Sequence, residues 1–223
     1  MSPDWFENLL GFKELSYRET QANLEVVDNT LRSRVNNRSY AIGELETPSL
    51  AELRTRAAAV APHVAGTLRV SSVVGDVGRL HSSRSNRDAL FQVASQFKRL
   101  DFTGPDVIPE TGVTRYAYDR TQGPACAIAA GAATMDRNYF APVDGQVGQT
   151  EARQIDCLRD LGDALGNARD ALWTMRNGYA LCTEAGLAAV DRKLRTMADG
   201  ERDRLRGLLR VGLHWDVEVT DGH

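Results

Sequence analysis

The feature that most restricts how this chain can fold is a run of small residues, GPACAIAAGAAT, at positions 123–134. Alanine has the highest helix propensity, so the run predicts a helix in spite of Gly131. Few bulky side chains interrupt it, so a neighbouring element or a ligand can come close to the backbone. One interpretation is therefore a helix buried against a sheet. The other is a ligand site at Gly123 and Pro124, where the N–H groups of a helix start attract anions.

The composition is typical of a globular protein. The 223 residues are 42% hydrophobic and 26% charged, and the formal net charge of -3 argues against a nucleic-acid partner. No apolar run reaches the roughly 20 residues of a membrane helix, and the acidic N-terminus does not resemble a signal peptide. The cysteines are scattered at positions 126, 157 and 182, which suits a reducing compartment. We expect one cytoplasmic domain over residues 1–223, without a membrane partner.

Hydrophobic periodicity predicts strands that alternate with helices. Strands are expected at 67–74, 89–95, 113–119, 171–182 and 211–219, with a hairpin at 30–46 that turns at Asn36 and Asn37. Helices are expected at 47–61, from 123 onward, at 150–167 and at 183–210 with a break near Asp199, whereas 101–112 reads as loop and 137–143 as extended chain. This order predicts an α/β fold, with helices packed on a mixed sheet and an N-terminal hairpin extension at about 17–46.

Cys126 lies near the start of the alanine-rich helix, where a thiolate is stabilised. A nucleophilic cysteine also needs a base, and His81 and His214 are the interior candidates. The alternative is that Cys126 is a small buried residue of the core. The histidines show no metal-ligand spacing, so neither a metal nor a cofactor is predicted.

Glu110 and Asp119 flank the segment TGVTRYAY. A carboxylate beside a turn can act as a general base or accept hydrogen bonds from ribose hydroxyls. Charged residues beside turns are also common as plain solvated groups. We take both as candidate catalytic residues.

The segment VVGDVGRLHSSRSNRDALFQVASQF, residues 73–97, resembles the opening of a macrodomain, the ADP-ribose-binding module. VVGDV takes the place of the strand that ends in Gly-Asp, and DALFQVAS that of the following strand. GVTRYAYDRTQGPACAIAAGAA then takes the place of the loop and helix around the distal ribose and diphosphate. The blocks FQVASQF, YDRTQGPA and RNYF also resemble those of an uncharacterised bacterial family.

The macrodomain resemblance implies binding of ADP-ribose or a related nucleotide, with ADP-ribosyl hydrolase activity as a further option. It implies that Asp76 binds the adenine amino group and that main-chain N–H groups near Gly123 hold the diphosphate. Hydrolysis would use a water that attacks the anomeric carbon, with Glu110 or Asp119 as base. The remaining predicted ligand-binding residues are Gln92, Ser95, Gln96, Arg120, Thr121, Gln122, Ala125, Arg137, Asn138 and Tyr139.

Two other functions remain open from the sequence. One is a non-catalytic binding or assembly protein that uses the charged C-terminal helices as its partner surface. The other is a cysteine hydrolase centred on Cys126.

Overall fold

A computed structural model describes residues 4–43, 50–60, 66–87, 89–94, 96–119, 122–213 and 215–219. The α-helices are α1 Trp5–Leu10, α2 Tyr17–Ala22, α3 Leu50–Ala59, α4 Val77–His81, α5 Gln122–Ala129, α6 Gly131–Met135, α7 Arg159–Leu165, α8 Glu184–Thr196 and α9 Asp199–Gly212. The strands are β1 Leu24–Val27, β2 Thr30–Ser33, β3 Ser39–Ala41, β4 Leu90–Ala94, β5 Pro142–Val143, β6 Gln146–Val147, β7 Trp173–Arg176, β8 Tyr179–Cys182 and β9 Trp215–Val219. Short 3₁₀ helices cover Arg84–Asn86, Pro109–Thr111, Thr114–Tyr118 and Ala168–Asp170, and a π-helix covers Asp136–Phe140.

The described strands pair in small antiparallel sheets: β1–β2–β3, β4–β9, β5–β6 and β7–β8. The α/β class is confirmed in its general form, as helices combined with small sheets. The mixed sheet that we predicted does not occur among the described strands, since each of their ladders is antiparallel. Local hairpins supply most of these ladders, whereas a parallel pair needs a long crossover connection.

A first hydrophobic cluster joins the N-terminal third to residues 100–140. Its buried members include Phe6, Leu10, Leu31, Phe102 and Tyr139. Residues 17–43, predicted as an extension, therefore contribute side chains to this core, because Leu24 and Leu31 are almost fully buried.

The π-helix Asp136–Phe140 is fixed by side chains of α2. A wider helical turn leaves carbonyl groups without their usual intrahelical donors. The Tyr17 hydroxyl donates to the Asn138 carbonyl and the Gln21 amide to the Tyr139 carbonyl, each at 2.7 Å. These bonds explain why residues 137–140 are helical, and the extended conformation predicted for them is wrong.

A second hydrophobic cluster lies in the C-terminal third and includes Leu158, Leu165, Leu172, Trp173 and Leu205. The two clusters are linked through the segment 96–102. Phe97 donates its N–H to the Gly178 carbonyl at 3.2 Å and accepts from the Cys157 N–H at 2.8 Å. The chain after β4 is thereby held between α5 and the β7–β8 hairpin.

Several predicted elements are confirmed. These are the hairpin turn at Asn37, the helix within 47–61, the strand within 89–95, the helix after Gly123, the strand pair within 171–182 and the paired C-terminal helices. Residues 44–49 and 61 lie outside the described part. Residues 101–112 are irregular apart from the single turn Pro109–Thr111. Of the predicted strand 211–219 only Trp215–Val219 is extended, because α9 continues to Gly212.

Besides residues 137–140, two predicted elements are wrong and one is shortened. Residues 67–74 are exposed without strand pairing in the described structure, so their alternating pattern reflects no ladder. Residues 114–118 form a 3₁₀ helix because the Glu14 carboxylate accepts the Val113 and Thr114 N–H groups at its start. The helix predicted at 150–167 shortens to α7, since the side chains of Gln149 and Asp156 bind backbone N–H groups at residues 155 and 158.

Candidate functional site

The start of α5 is the point where three predicted segments meet. Helix α5 packs against α4, β4 and the 3₁₀ helix Thr114–Tyr118. Asp76 is the N-cap of α4, and Gln96 follows the end of β4. The fold therefore brings the segments that carry these residues against α5, although they are far apart in the sequence.

The carboxylate of Asp101 lies directly against Gly123. A Cβ atom at position 123 would overlap the Asp101 carboxylate, so a larger residue there would displace that carboxylate. A carboxylate at a helix start is stabilised by the N–H groups and by the helix dipole. The anion at this helix start is therefore the protein's own carboxylate.

Gln96 connects this carboxylate to the β7–β8 hairpin. Its Nε2 lies 3.5 Å from Asp101 Oδ1 and 2.6 Å from the Tyr179 hydroxyl, and it also donates to the Phe102 carbonyl. The Tyr179 hydroxyl donates to the same carbonyl at 2.5 Å. The polar atoms of these residues form a group at the edge of the core. All four residues are half-buried: Gln96, Asp101, Gly123 and Tyr179.

Asp119 belongs to the same neighbourhood. Burial raises the pKa of Tyr179, and the negative charges of Asp101 and Asp119 raise it further, against the hydrogen bond from Gln96. Both carboxylates thus act on one hydroxyl. We call Gln96, Asp101, Asp119, Gly123 and Tyr179 the junction site.

Two further predicted residues have structural contacts. The Asp76 carboxylate accepts the Arg79 N–H at 3.3 Å and caps α4. Ala125 is 1% exposed and belongs to the buried side of α5.

Four predicted residues lie elsewhere. Both oxygens of the Glu110 carboxylate accept from the Glu151 N–H, at 3.1 and 2.9 Å, at the surface. Asn138 is fully buried and donates to the Pro109 carbonyl, while the buried Tyr139 donates its hydroxyl to Glu14 at 2.7 Å. The Arg137 carbonyl accepts from Gln149. The block RNYF thus contributes to the core around the π-helix.

Some predicted residues lie outside the described part of the chain. These are Ser95, Arg120, Thr121 and His214, together with the side chains of Gln92 and Gln122. The backbone of Gln122 is described and begins α5.

Cys126 and His81 form a direct contact between α5 and α4. The His81 Nε2 atom lies 2.9 Å from the Cys126 sulfur. The two residues are 4% and 2% exposed. Cys126 is the fifth residue of α5. It therefore lies one turn after the helix start, whereas we predicted it near the start.

Asp101 and Tyr179 were missed by sequence reasoning. Asp101 opens a loop rich in glycine and proline, where an acidic residue carries no special signal. Tyr179 follows the Asn177–Gly178 turn. This dipeptide predicts a hairpin, but it does not predict which loop the hairpin packs against. A depression of about 380 Å³ is lined by Met175, Arg176, Asn177 and Gly178, which precede Tyr179.

In the described part of the chain, His, Cys, Asp and Glu side chains form no group of three or more that could hold a metal ion. None of the described helices combines the length and the apolar character needed to cross a membrane. Comparison with protein-family models, with curated proteins and with solved structures finds no match to this chain.

Proposed function

We propose that the junction site binds the ribose of ADP-ribose or of a related nucleotide. The observation that carries this proposal is the Asp101 carboxylate against Gly123, joined by Gln96 and Tyr179. A carboxylate accepts hydrogen bonds from the hydroxyls of a ribose, as acidic residues do in dinucleotide-binding folds. A strand end beside a glycine-containing helix start is the one part of the macrodomain pattern that supports the same ligand class, since residues 67–74 form no strand.

This position of Asp101 changes the expected placement of the phosphates. A diphosphate at the α5 start would meet a carboxylate at close range, and like charges at that distance repel. The ribose is therefore assigned to the helix start. Arg176 lines the neighbouring depression, but it pairs with Asp106, and Glu151 and Asp156 line the same depression, so the diphosphate is not assigned there.

Hydrolysis of an ADP-ribosyl bond is the catalytic extension of this proposal. One carboxylate takes a proton from water, and the water oxygen bonds to the anomeric carbon. The bond to the leaving group breaks, and the proton passes to that group. Asp119 is the candidate base, because it lies near Tyr179 with Asp101, whereas Glu110 binds the Glu151 backbone.

Thermal unfolding with ADP-ribose, AMP and ribose 5-phosphate tests the binding proposal. At 100 times the Kd, a ligand stabilises the native state by about 2.7 kcal/mol, which is a Tm shift of about 5 to 10 °C in a chain of this size. We expect Asp101→Asn to lower the apparent affinity for ADP-ribose at least tenfold. The exposed Asp163→Asn should leave that affinity unchanged. A tighter complex with Asp101→Asn would instead place phosphate at the helix start. No shift at millimolar ligand would contradict nucleotide binding altogether.

The hydrolase extension has its own test. Asp119→Asn should retain the ADP-ribose shift and lose release of ADP-ribose from an ADP-ribosylated protein. Binding without turnover by the unaltered chain would limit the function to recognition.

A second candidate is an assembly protein, favoured by exposed aliphatic side chains at residues 68–74. Leu68, Val70, Val73 and Val74 are each at least 71% exposed. An apolar surface of this kind on a soluble chain commonly marks a protein contact. Light scattering after size exclusion tests whether that contact is with a second copy of the chain, and a dimer that Val70→Lys dissociates would support assembly. A monomer at high concentration would contradict it.

A further inference from the structure

We propose that Cys126 and His81 form a nucleophile–base pair that accepts small acyl groups. This activity is separate from the binding of ribose at the junction site. The carrying observation is the distance of 2.9 Å between His81 Nε2 and Cys126 Sγ. An imidazole nitrogen within hydrogen-bond reach of a thiol is the arrangement that activates cysteine nucleophiles.

The charged groups around the pair include both cations and carboxylates, so activation of the sulfur is assigned to His81. The elements that pack on α5 are α4, β4, α6 and the 3₁₀ helix Thr114–Tyr118. The sequences of β4 and α6 contain no titratable residue, and no carboxylate lies within any of the four. The carboxylate of Asp76 caps α4 through the Arg79 N–H. The titratable residues of these elements are Arg79, His81, Arg115, Tyr116 and Tyr118. Arg79 and Arg115 are exposed, and the Asp101 carboxylate lies against Gly123, three residues before Cys126.

Access to the sulfur requires a local opening that keeps α4 and α5 together, because His81 lies on α4 and must stay beside Cys126. Both side chains of the pair are buried, so a reagent reaches Cys126 only in that open state. Helix α4 has five residues, and residues 66–76 before it are exposed and mostly without regular structure. Segments with few buried contacts open at a lower free energy than global unfolding. Small acyl esters are therefore the expected substrate class.

The chemistry is an acyl transfer in two steps. The Cys126 thiolate attacks the carbonyl carbon of an ester, a carbon–sulfur bond forms, and the carbon–oxygen bond to the alcohol breaks. His81 holds the thiol proton and gives it to the departing oxygen. A water then attacks the thioester, His81 takes its proton, and the carbon–sulfur bond breaks to release the acid and restore the thiol.

The three cysteines of the unaltered protein provide an internally controlled test. Cys126 is buried, Cys157 is half-buried and Cys182 is exposed, so Cys182 is a reference thiol in the same molecule. Iodoacetamide labelling at each cysteine is measured by peptide mass spectrometry between about pH 6 and pH 9. The ratio of the Cys126 rate to the Cys182 rate removes the pH dependence that ordinary thiols share.

We expect this ratio to rise at least tenfold between about pH 9 and pH 6, because an activated thiolate persists where an ordinary thiol is protonated. Slow local opening lowers the Cys126 rate but does not by itself create that trend. In His81→Asn the ratio should become independent of pH. A pH-independent ratio in the unaltered protein, or Cys126 labelled only after denaturation, would overturn the proposal.

An ester substrate tests the acyl-transfer step itself. With p-nitrophenyl acetate we expect release of nitrophenol and an acetyl group recovered on Cys126. Cys126→Ala should abolish both, and Cys182→Ser should abolish neither. Acetylation confined to Cys182 would contradict the assignment. The site of acetylation can be read in the unaltered protein, so the test remains valid if Cys126→Ala fails to fold.

Discussion

The Lys98 ammonium nitrogen lies 3.6 Å from the centroid of the Phe102 ring, and the Lys98 side chain is completely buried. Among the described residues, Lys98 Nζ has no hydrogen-bond partner. Burial lowers the pKa of Lys98 from 10.5 to about 7, although the negative charge of Glu110 acts in the opposite direction. The protein thus holds an amine whose protonation opposes folding.

The first prediction concerns the pH dependence of stability. Between pH 7 and about 10 the unfolded chain binds a proton at Lys98 that the folded chain lacks, so the free energy of unfolding should rise with pH. The expected slope approaches about 1.4 kcal/mol per pH unit. Urea denaturation at pH 7, 8 and 9 measures it.

Substitution of Lys98 identifies the group responsible. Lys98→Met keeps the apolar stem and removes the amine, so the variant should lose the slope and be more stable near pH 7. The exposed Lys13→Met should keep the slope of the unaltered protein. A slope unchanged in Lys98→Met would show that other groups cause it.

The second prediction concerns the Glu14 carboxylate, which joins the N-terminal segment to residues 113–139. It accepts from the Val113 N–H at 2.8 Å, from the Thr114 N–H at 2.9 Å, from the Thr114 hydroxyl and from the Tyr139 hydroxyl. Glu14→Ala leaves these donors without their acceptor, so we expect a loss of about 3 kcal/mol.

Two variants give the comparison for Glu14. Glu14→Gln keeps one oxygen acceptor and should lose about half as much stability. Glu151→Gln changes an exposed side chain and should have an effect of less than about 0.5 kcal/mol. Equal urea midpoints for Glu14→Ala and Glu151→Gln would contradict the role given to Glu14.

The third prediction is a pair of glycine substitutions with opposite signs. Gly186 in α8 lies against the Leu172 carbonyl, and an added Cβ would overlap that backbone atom. Gly207 in α9 is exposed, with nothing within 4 Å of the added atom. Gly186→Ala should therefore destabilise the protein by more than about 2 kcal/mol, and Gly207→Ala should stabilise it by up to about 1 kcal/mol. Denaturation curves measure both, and a loss of stability in Gly207→Ala would contradict the second part.

Local patterns were enough to predict the elements between residues 171 and 210. The Asn177–Gly178 pair has positive φ at both residues, 49° and 85°, which explains why this dipeptide predicts the β7–β8 turn. The helices α8 and α9 have apolar residues at helical spacing, and they break at the predicted point before Asp199. These elements depend on contacts between residues close in the sequence.

The junction site could be predicted only in part. The position of Gln96 and Gly123 at a strand end and a helix start followed from local pattern. The positions of Asp101 and Tyr179 could not be predicted from local pattern. They depend on packing between residues up to 83 positions apart, as in the Gln96–Tyr179 bond. The same holds for Thr114–Tyr118, whose 3₁₀ conformation depends on Glu14, about 100 positions earlier. Periodicity carries no information on such contacts.

The last prediction concerns Asn167, whose side chain fixes the turn between α7 and β7. Its Oδ1 accepts from the Leu172 N–H at 2.7 Å and the Trp173 N–H at 3.1 Å, and its Nδ2 donates to the Trp173 carbonyl at 2.9 Å. Leu172 and Trp173 belong to the second hydrophobic cluster, so the amide positions buried side chains. Asn167→Ala should lower the free energy of unfolding by about 2 to 4 kcal/mol, because it removes all three bonds.

Asn167→Asp keeps both accepted bonds but turns a carboxylate oxygen towards the Trp173 carbonyl, so a smaller loss is expected. The exposed Asn8→Ala is the control and should change stability by less than about 0.5 kcal/mol. Urea denaturation followed by tryptophan fluorescence measures the series, and equal stability of Asn167→Ala and Asn8→Ala would contradict this role of Asn167.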